Sequence, residues 1–192
     1  MPLANVDFVS PPEVVGTATS FFDGQIELDP ASSEHANQLV CADKYFTHEN
    51  NGLNQVWKAK NIYLYPPRDF LFGHEQPKDH RLFRRNKRFV KSAQRVWLED
   101  CLRRYRKNEF DEGLVFLTST EVALLVTQKL DIDMPLCILS QRPELHIDEP
   151  GLPKLTNAKC FGFILYFPKM HNPRKRIEEF YGLFSNIGRV YC

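Results

Sequence analysis

The chain has 192 residues, 43% hydrophobic and 26% charged, which suits one globular domain with a sizeable core. It contains no apolar run of about 18 residues and no secretory signal pattern, so we expect a cytoplasmic protein without a membrane span. The five cysteines are odd in number and widely spaced, which argues against a disulfide framework or a zinc site.

In chain order, the pattern predicts an alternation of helices and strands. Prolines and serines mark helix starts, a helical stripe of apolar residues marks the longest helix, and continuous apolar runs mark buried strands. The predicted elements are a helix at 12–22, a strand at 25–28, a helix at 33–43, a strand at 61–65, a loop at 77–88, a helix at 88–105, a strand at 114–117, a helix at 119–129, a strand at 136–139, an edge strand at 145–147, a strand at 160–167 and a helix at 174–184. This alternation predicts an α/β fold with a mostly parallel sheet and helices on both faces.

The charge is unevenly distributed. Residues 78–107 hold twelve Lys or Arg and three acidic residues, whereas the whole chain has a net charge of only +1. A basic segment on an otherwise acidic protein indicates a polyanionic partner such as nucleic acid. A solvated helix face with salt bridges to the acidic remainder explains the same pattern, and charge alone does not separate the two interpretations.

Two motifs follow predicted strands. Parallel sheets bind ligands beyond the carboxyl ends of their strands, and Asp29 comes directly after one such strand. Its carboxylate can accept hydrogen bonds from a ribose or an amine, or it can simply cap the Asp29-Pro30 turn. If the fold is as predicted, Asp29, Pro66 and Ser119 converge at one edge of the sheet, with the basic segment beside it.

The second motif is Tyr65-Pro66-Pro67-Arg68. Its two prolines stop the strand, stiffen the loop and fix the direction of one carbonyl group. That geometry suits a flat ligand held between a carbonyl and an aromatic ring, although an ordinary strand stop has the same sequence.

The order and spacing of several motifs over about residues 10–70 resemble those of the phage-type Dam DNA N6-adenine methyltransferases. That family has an L-D-P-A-A or L-D-P-A-S turn, then Y-F-T, D-G-L, a tryptophan and Asn-Pro-Pro-Tyr. The matching residues here are Ile26 to Ser32, Tyr45-Phe46-Thr47, Asn51-Gly52-Leu53, Trp57 and Ile62 to Pro67. A weaker likeness continues through residues 114–117 and 138–139 to Arg142.

The resemblance implies a single Rossmann-like methyltransferase domain over residues 1–192, with a basic loop and helix at about 77–107. It implies methyl transfer from S-adenosylmethionine to the exocyclic amine of a flipped adenine in DNA. By resemblance, the cofactor residues are Asp29, Pro30, Ala31 and Ser32, and the catalytic residues are Tyr65, Pro66, Pro67 and Arg68. The chain departs from the family at Tyr65, which replaces asparagine, and at Arg68, which replaces tyrosine.

Three hypotheses follow. The chain is a methyltransferase with an altered base pocket, in which Tyr65 or Phe70 replaces the stacking tyrosine; or it is a silenced methyltransferase fold that binds nucleic acid; or it is an assembly partner whose basic helix docks an acidic protein. The candidate nucleic-acid contacts are Arg84, Arg85, Lys87, Arg88, Arg95, Arg103 and Arg104.

Overall fold

The computed structural model describes residues 8–67, 92–129, 134–147, 154–155, 160–171 and 173–192. Its helices are α1 (Pro12–Phe21), α2 (Glu34–Val40), α3 (Ala93–Arg106), α4 (Thr120–Lys129) and α5 (Pro173–Phe184), with a short 3₁₀ turn (Gly52–Asn54). Its strands are β1 (Phe8–Val9), β2 (Leu28–Asp29), β3 (Lys44–Tyr45), β4 (Ala59–Leu64), β5 (Phe110–Leu117), β6 (Leu136–Leu139), β7 (Leu145–Ile147), β8 (Lys154–Leu155), β9 (Phe163–Phe167) and β10 (Gly188–Tyr191).

Among the described residues, seven strands form the main sheet in the order β10-β6-β9-β5-β4-β2-β3. The β3, β2, β4 and β5 strands run parallel to one another, whereas β9 is antiparallel to both β5 and β6, and β10 is antiparallel to β6. The sheet is therefore mixed, and the expected mostly parallel arrangement holds only for one half of it. The apolar run of β9 indicates burial on both faces, but burial carries no information on strand direction.

Helices cover both faces of this sheet, as the sequence predicts. Side chains of β4 and β5 alternate between two hydrophobic clusters, because successive residues of a strand point to opposite faces. Tyr63 and Phe116 pack with α1 and α5, and Ile62 and Val115 pack with α3 and α4. The chain is an α/β protein with one core layer on each side of the sheet.

An aromatic cluster joins α1 to the last helix. The ring of Phe21 lies 5.0 Å from Tyr166, 5.9 Å from Phe180 and 5.8 Å from Phe184, all close to edge-on. The Arg176 guanidinium donates to the Phe21 carbonyl at 2.9 Å and to the buried Glu112 carboxylate at 3.0 Å. These contacts connect the beginning and the end of the described chain through the face of the sheet.

A second sheet has three strands in the part of the chain that the structure describes, in the order β1-β7-β8. Its middle strand is β7, which pairs antiparallel with β1 through Phe8 and Ile147, and with β8 through Leu145 and Leu155. The expectation that residues 145–147 form an edge strand is therefore wrong. The partners β1 and β8 are only two residues long, too short to give a recognisable pattern.

The longest helix begins later than predicted. The Ser92 hydroxyl accepts a hydrogen bond from the Arg95 N–H at 3.3 Å and caps α3, which starts at Ala93 rather than near residue 88. The predicted loop at 77–88 lies outside the described residues. Within the described ranges, none of the helices has the length and apolar character needed to cross a bilayer.

Candidate functional site at the carboxyl edge

Three neighbouring parallel strands end at one edge of the main sheet. The last residues of β2, β4 and β5 are Asp29, Leu64 and Leu117, and the chain continues from them into Pro30, Tyr65 and Thr118. From β2 the chain first moves outward to β3 and then returns on the other side of β2 to form β4. Such a reversal leaves a crevice in which open α/β sheets bind ligands. We call this the carboxyl edge.

Asp29 is 3% exposed and forms part of its own turn. Its Oδ1 accepts a hydrogen bond from the Ala31 N–H at 3.1 Å, and its main-chain carbonyl accepts one from the Phe46 N–H at 3.0 Å. The turn-capping role that the sequence allows is therefore present. A buried carboxylate at this position can in addition accept hydrogen bonds from hydroxyl or ammonium groups of a ligand.

The turn after Asp29 offers few free main-chain donors. Pro30 has no N–H, the Ala31 N–H is used by Asp29, and the Ser32 N–H donates to the Phe46 carbonyl at 2.8 Å. Ser33 caps α2 by accepting from the Ala36 N–H at 2.9 Å. A ligand at this turn would therefore meet the Asp29 carboxylate rather than a row of amide donors.

Gly52 packs against this turn, and Trp57 in turn holds Gly52. A Cβ atom on Gly52 would lie 1.9 Å from the Pro30 carbonyl oxygen, so only glycine fits there. The Gly52 carbonyl accepts a hydrogen bond from the buried Trp57 indole N–H at 2.8 Å. Gly52 of the family-like Asn51-Gly52-Leu53 motif thus contacts the Asp29 turn directly, and Trp57 holds Gly52 in place through its hydrogen bond.

Arg104 completes this support. Its guanidinium donates to the carbonyls of Leu53 and Gln55, each at 2.7 Å, and lies 4.5 Å from the Trp57 ring centre. It also pairs with Glu109 at 2.7 Å and with Asp100. The residue is 5% exposed. The Arg104 guanidinium is therefore buried and bonded to groups of the protein itself, whereas the sequence places it among the nucleic-acid contacts.

The residue in place of the family's asparagine faces the core. Tyr65 is 7% exposed, and its ring lies 4.9 Å from that of Phe116 in the cluster beneath α1. Pro66 is buried and Pro67 is half-buried. The structure thus brings Tyr65 and Pro66 to the same edge as Asp29, but the aromatic side chain is used in packing. Arg68 and Phe70 lie outside the described residues.

Tyr63 lies on β4 beneath the carboxyl edge. It is fully buried on β4, and burial raises the pKa of its hydroxyl, with Asp29 and Tyr65 adding to the rise and the Ser10 side chain opposing it. Asp29, Tyr65 and Ser10 therefore lie close enough to this hydroxyl to influence its pKa. Tyr63 remains neutral at physiological pH and contributes polarity, not charge, beneath the crevice.

The third expected member of the edge, Ser119, is also there. Gln94 of α3 is 2% exposed, and its amide oxygen accepts from the N–H groups of Thr118 at 3.1 Å and Ser119 at 2.9 Å. Its amide nitrogen donates to the Thr118 hydroxyl at 2.7 Å. Sequence reasoning missed Gln94, although a polar residue beside the apolar stripe of a helix is a usable signal. The three hydrogen bonds of Gln94 fix the start of α3 against the carboxyl edge.

The described arginines of α3 are spread along the helix rather than gathered at the carboxyl edge. Arg95 is near the carboxyl edge and pairs with Glu99 at 3.0 Å, whereas Arg103 lies two turns further on and pairs with Asp100. At 1.5 Å per residue, these two arginines are about 12 Å apart along the helix. Of the three predicted contacts on α3, only Arg95 is both partly exposed and close to the edge. Arg84, Arg85, Lys87 and Arg88 lie outside the described residues.

The side chain that a ligand would meet at this edge is the Asp29 carboxylate. Within the described ranges, no group of three or more His, Cys, Asp or Glu side chains is placed to hold a metal ion. A buried carboxylate beside a stiff proline loop can accept hydrogen bonds from hydroxyl or ammonium groups of a ligand, while the Pro30–Ser32 main chain adds little. Comparison with protein-family models, curated proteins and solved structures found no match to this chain.

Proposed function

We propose that this protein is a Dam-like methyltransferase that binds S-adenosylmethionine at the carboxyl edge and transfers its methyl group to the exocyclic amine of adenine in DNA. The observation that supports the proposal best is the convergence of Asp29 and Pro66 on adjacent parallel strands at the point where the strand order reverses. Both residues occupy the positions at which the resembling family carries its cofactor turn and its catalytic tetrapeptide.

In this proposal each residue has a limited role. The Asp29 carboxylate accepts hydrogen bonds from the cofactor, and Gly52 and Trp57 hold the turn that carries it. The Pro66 carbonyl is fixed by the two prolines and accepts a hydrogen bond from the adenine amine. The bound cofactor supplies the electrophilic methyl group, and the fixed geometry brings donor and amine together.

Binding of S-adenosylmethionine, measured by titration calorimetry, tests the cofactor part. We expect Asp29→Asn to keep the turn, because the amide oxygen can still accept from the Ala31 N–H, and to bind about tenfold more weakly. Asp111→Ala removes an exposed carboxylate from the other end of β5 and serves as the matched control. Equal binding by parent and Asp29→Asn would remove Asp29 from the site, and no binding by the parent would reject the proposal.

A second candidate function is a silenced member of this fold that still binds nucleic acid. The burial of Tyr65 against Phe116 favours it, because a side chain packed in the core does not offer the amide oxygen that the family uses. Transfer of an isotopic methyl group to DNA separates the two candidates. Cofactor binding without transfer, together with salt-sensitive DNA binding, would identify the silenced form.

A further inference from the structure

An exposed aromatic residue lies at the same edge of the sheet, next to an arginine. Phe161 is 51% exposed, and the Arg142 guanidinium lies 5.6 Å from the centre of its ring. Arg142 is itself exposed. Exposing a phenylalanine ring to water is unfavourable, and placing a guanidinium against it leaves a flat, positively charged surface.

The topology fixes this pair at the carboxyl edge. Strand β6 runs in the same direction as β5, since both are antiparallel to β9, so β6 ends where β5 ends. The N–H of Leu139, at the end of β6, donates to the Gly162 carbonyl at 2.9 Å. A Cβ on Gly162 would lie 2.4 Å from the Leu139 side chain, so the two segments are in tight contact. Phe161, just before Gly162, and Arg142, just after β6, therefore lie close together at the carboxyl edge.

We propose that Phe161 and Arg142 form a contact for single-stranded or locally opened DNA, in which a base stacks on the Phe161 ring and Arg142 pairs with an adjacent phosphate. Aromatic side chains beside cationic ones are the groups that bind unpaired bases with little sequence preference. This inference rests on the proposed function, because the strand bound here is the one that presents the adenine amine to the neighbouring crevice. A base flipped out of a duplex leaves unstacked neighbours that such a platform can hold.

The same chemistry distinguishes this pair from other exposed aromatic residues. Tyr191 at the end of β10 is 49% exposed but has no arginine stacked on its ring among the described residues, and it pairs with Leu136 at the start of β6, at the opposite edge of the sheet. Tyr191→Ala is therefore a matched control, since it removes a similarly exposed ring at the opposite edge of the sheet.

The test is fluorescence anisotropy with the full chain and two labelled oligodeoxynucleotides of about 16 residues, one of thymidine and one abasic. We expect Phe161→Ala to weaken binding of the thymidine strand about tenfold and to leave binding of the abasic strand unchanged. Arg142→Ala should weaken both and reduce the slope of log affinity against log salt by about one contact. Tyr191→Ala should bind as the parent does.

Phe161→Leu protects the test against misfolding, because it retains an apolar side chain but removes the ring, and it should behave like Phe161→Ala. Equal loss on both strands, or no loss on either, would overturn the base-stacking contact. Failure of the parent to bind either strand would also overturn it. Neither result bears on S-adenosylmethionine binding, which is measured without DNA, so failure of this inference and failure of the cofactor site are distinguishable.

Discussion

The contact between Gly52 and the Asp29 turn gives a sharp prediction for Gly52→Ala. A Cβ atom at residue 52 would lie 1.9 Å from the Pro30 oxygen and 3.1 Å from the Trp97 ring. Because ordinary contacts begin near 3.4 Å, the Pro30 carbonyl would have to move by about 1.5 Å. The atom it meets is main chain on a proline, which cannot rotate away as the end of a flexible side chain can.

The magnitude follows from two contributions. Overpacking of this kind costs about 1–3 kcal/mol, and a shift of the turn also disrupts the Asp29–Ala31 hydrogen bond, worth about 1 kcal/mol. We expect Gly52→Ala to lower the free energy of unfolding by about 3 kcal/mol, and Tm by about 6–12 °C for a chain of this size. Cofactor affinity should fall with it, because the substitution displaces the turn that carries Asp29.

The assay is thermal and denaturant unfolding of Gly52→Ala beside two glycine-to-alanine controls. A Cβ atom added to Gly16 in α1 or to Gly182 in α5 would meet no atom within 4 Å, so alanine there should be neutral or raise stability by about 0.5–1 kcal/mol. If Gly52→Ala is as stable as these controls and binds cofactor as the parent does, the tight contact between Gly52 and the Asp29 turn is not real.

Other substitutions test the core around the site. Arg104→Met should lower the free energy of unfolding by about 3 kcal/mol or more, because the partly buried Asp100 and Glu109 carboxylates lose their charge partner. In the same denaturant titration Arg103→Met, which breaks an exposed pair, should lower it by less than about 1 kcal/mol. Tyr65→Asn introduces the asparagine of the resembling family but should lower the free energy of unfolding by about 3 kcal/mol, because it leaves a cavity and buries an amide. A variant as stable as the parent would show that the Tyr65 ring is not needed for packing. A thiol reagent should label the exposed thiols of Cys41 and Cys192 quickly in the native protein. Rapid labelling of a third cysteine would contradict the burial of the other three. Burial raises the pKa of the Cys137 thiol to about 12. The stability that this thiol contributes is therefore complete below the unfolded pKa of about 8.5 and declines as the pH rises from there towards 12. Unfolding curves recorded at increasing pH measure this decline.

The helices were the most predictable part of the fold. The sequence predicts α1, α4 and α5 to within one or two residues, and the serine that it places at the start of the second helix, Ser33, caps α2. These signals are local: a proline in the first turn, a serine cap and an apolar stripe are each set by residues close in the chain.

Strand bounds and strand direction were less predictable, because both depend on distant partners. Residues 25–27 look like a strand, but the Asn61 side chain accepts from the Glu27 N–H at 2.8 Å and donates to the Gln25 carbonyl at 3.1 Å. A side chain thus takes the place of a ladder, and β2 is shortened to two residues. No local pattern indicates that β9 inserts between β5 and β6 in the opposite direction.

The candidate site divides in the same way. Its location at the strand ends could be predicted, since Asp29 and Pro66 directly follow strands in the sequence. The orientation of side chains could not, and Tyr65 and Arg104 both point inward. For Arg104 a signal existed: it lies seven residues after Trp97, on the apolar stripe of α3, where an arginine requires internal partners.

The aromatic cluster that joins α1 to α5 has a consequence for synthesis of the chain. The inner face of α1 is complete only when Phe180 and Phe184 cover Phe21, and Arg176 reaches the Phe21 carbonyl across 155 positions of sequence. At about 5–20 residues per second, a ribosome needs on the order of ten seconds or more to make that stretch. During this time the emerging chain carries an uncovered aromatic surface on α1, and a protein ending before residue 173 would carry it permanently.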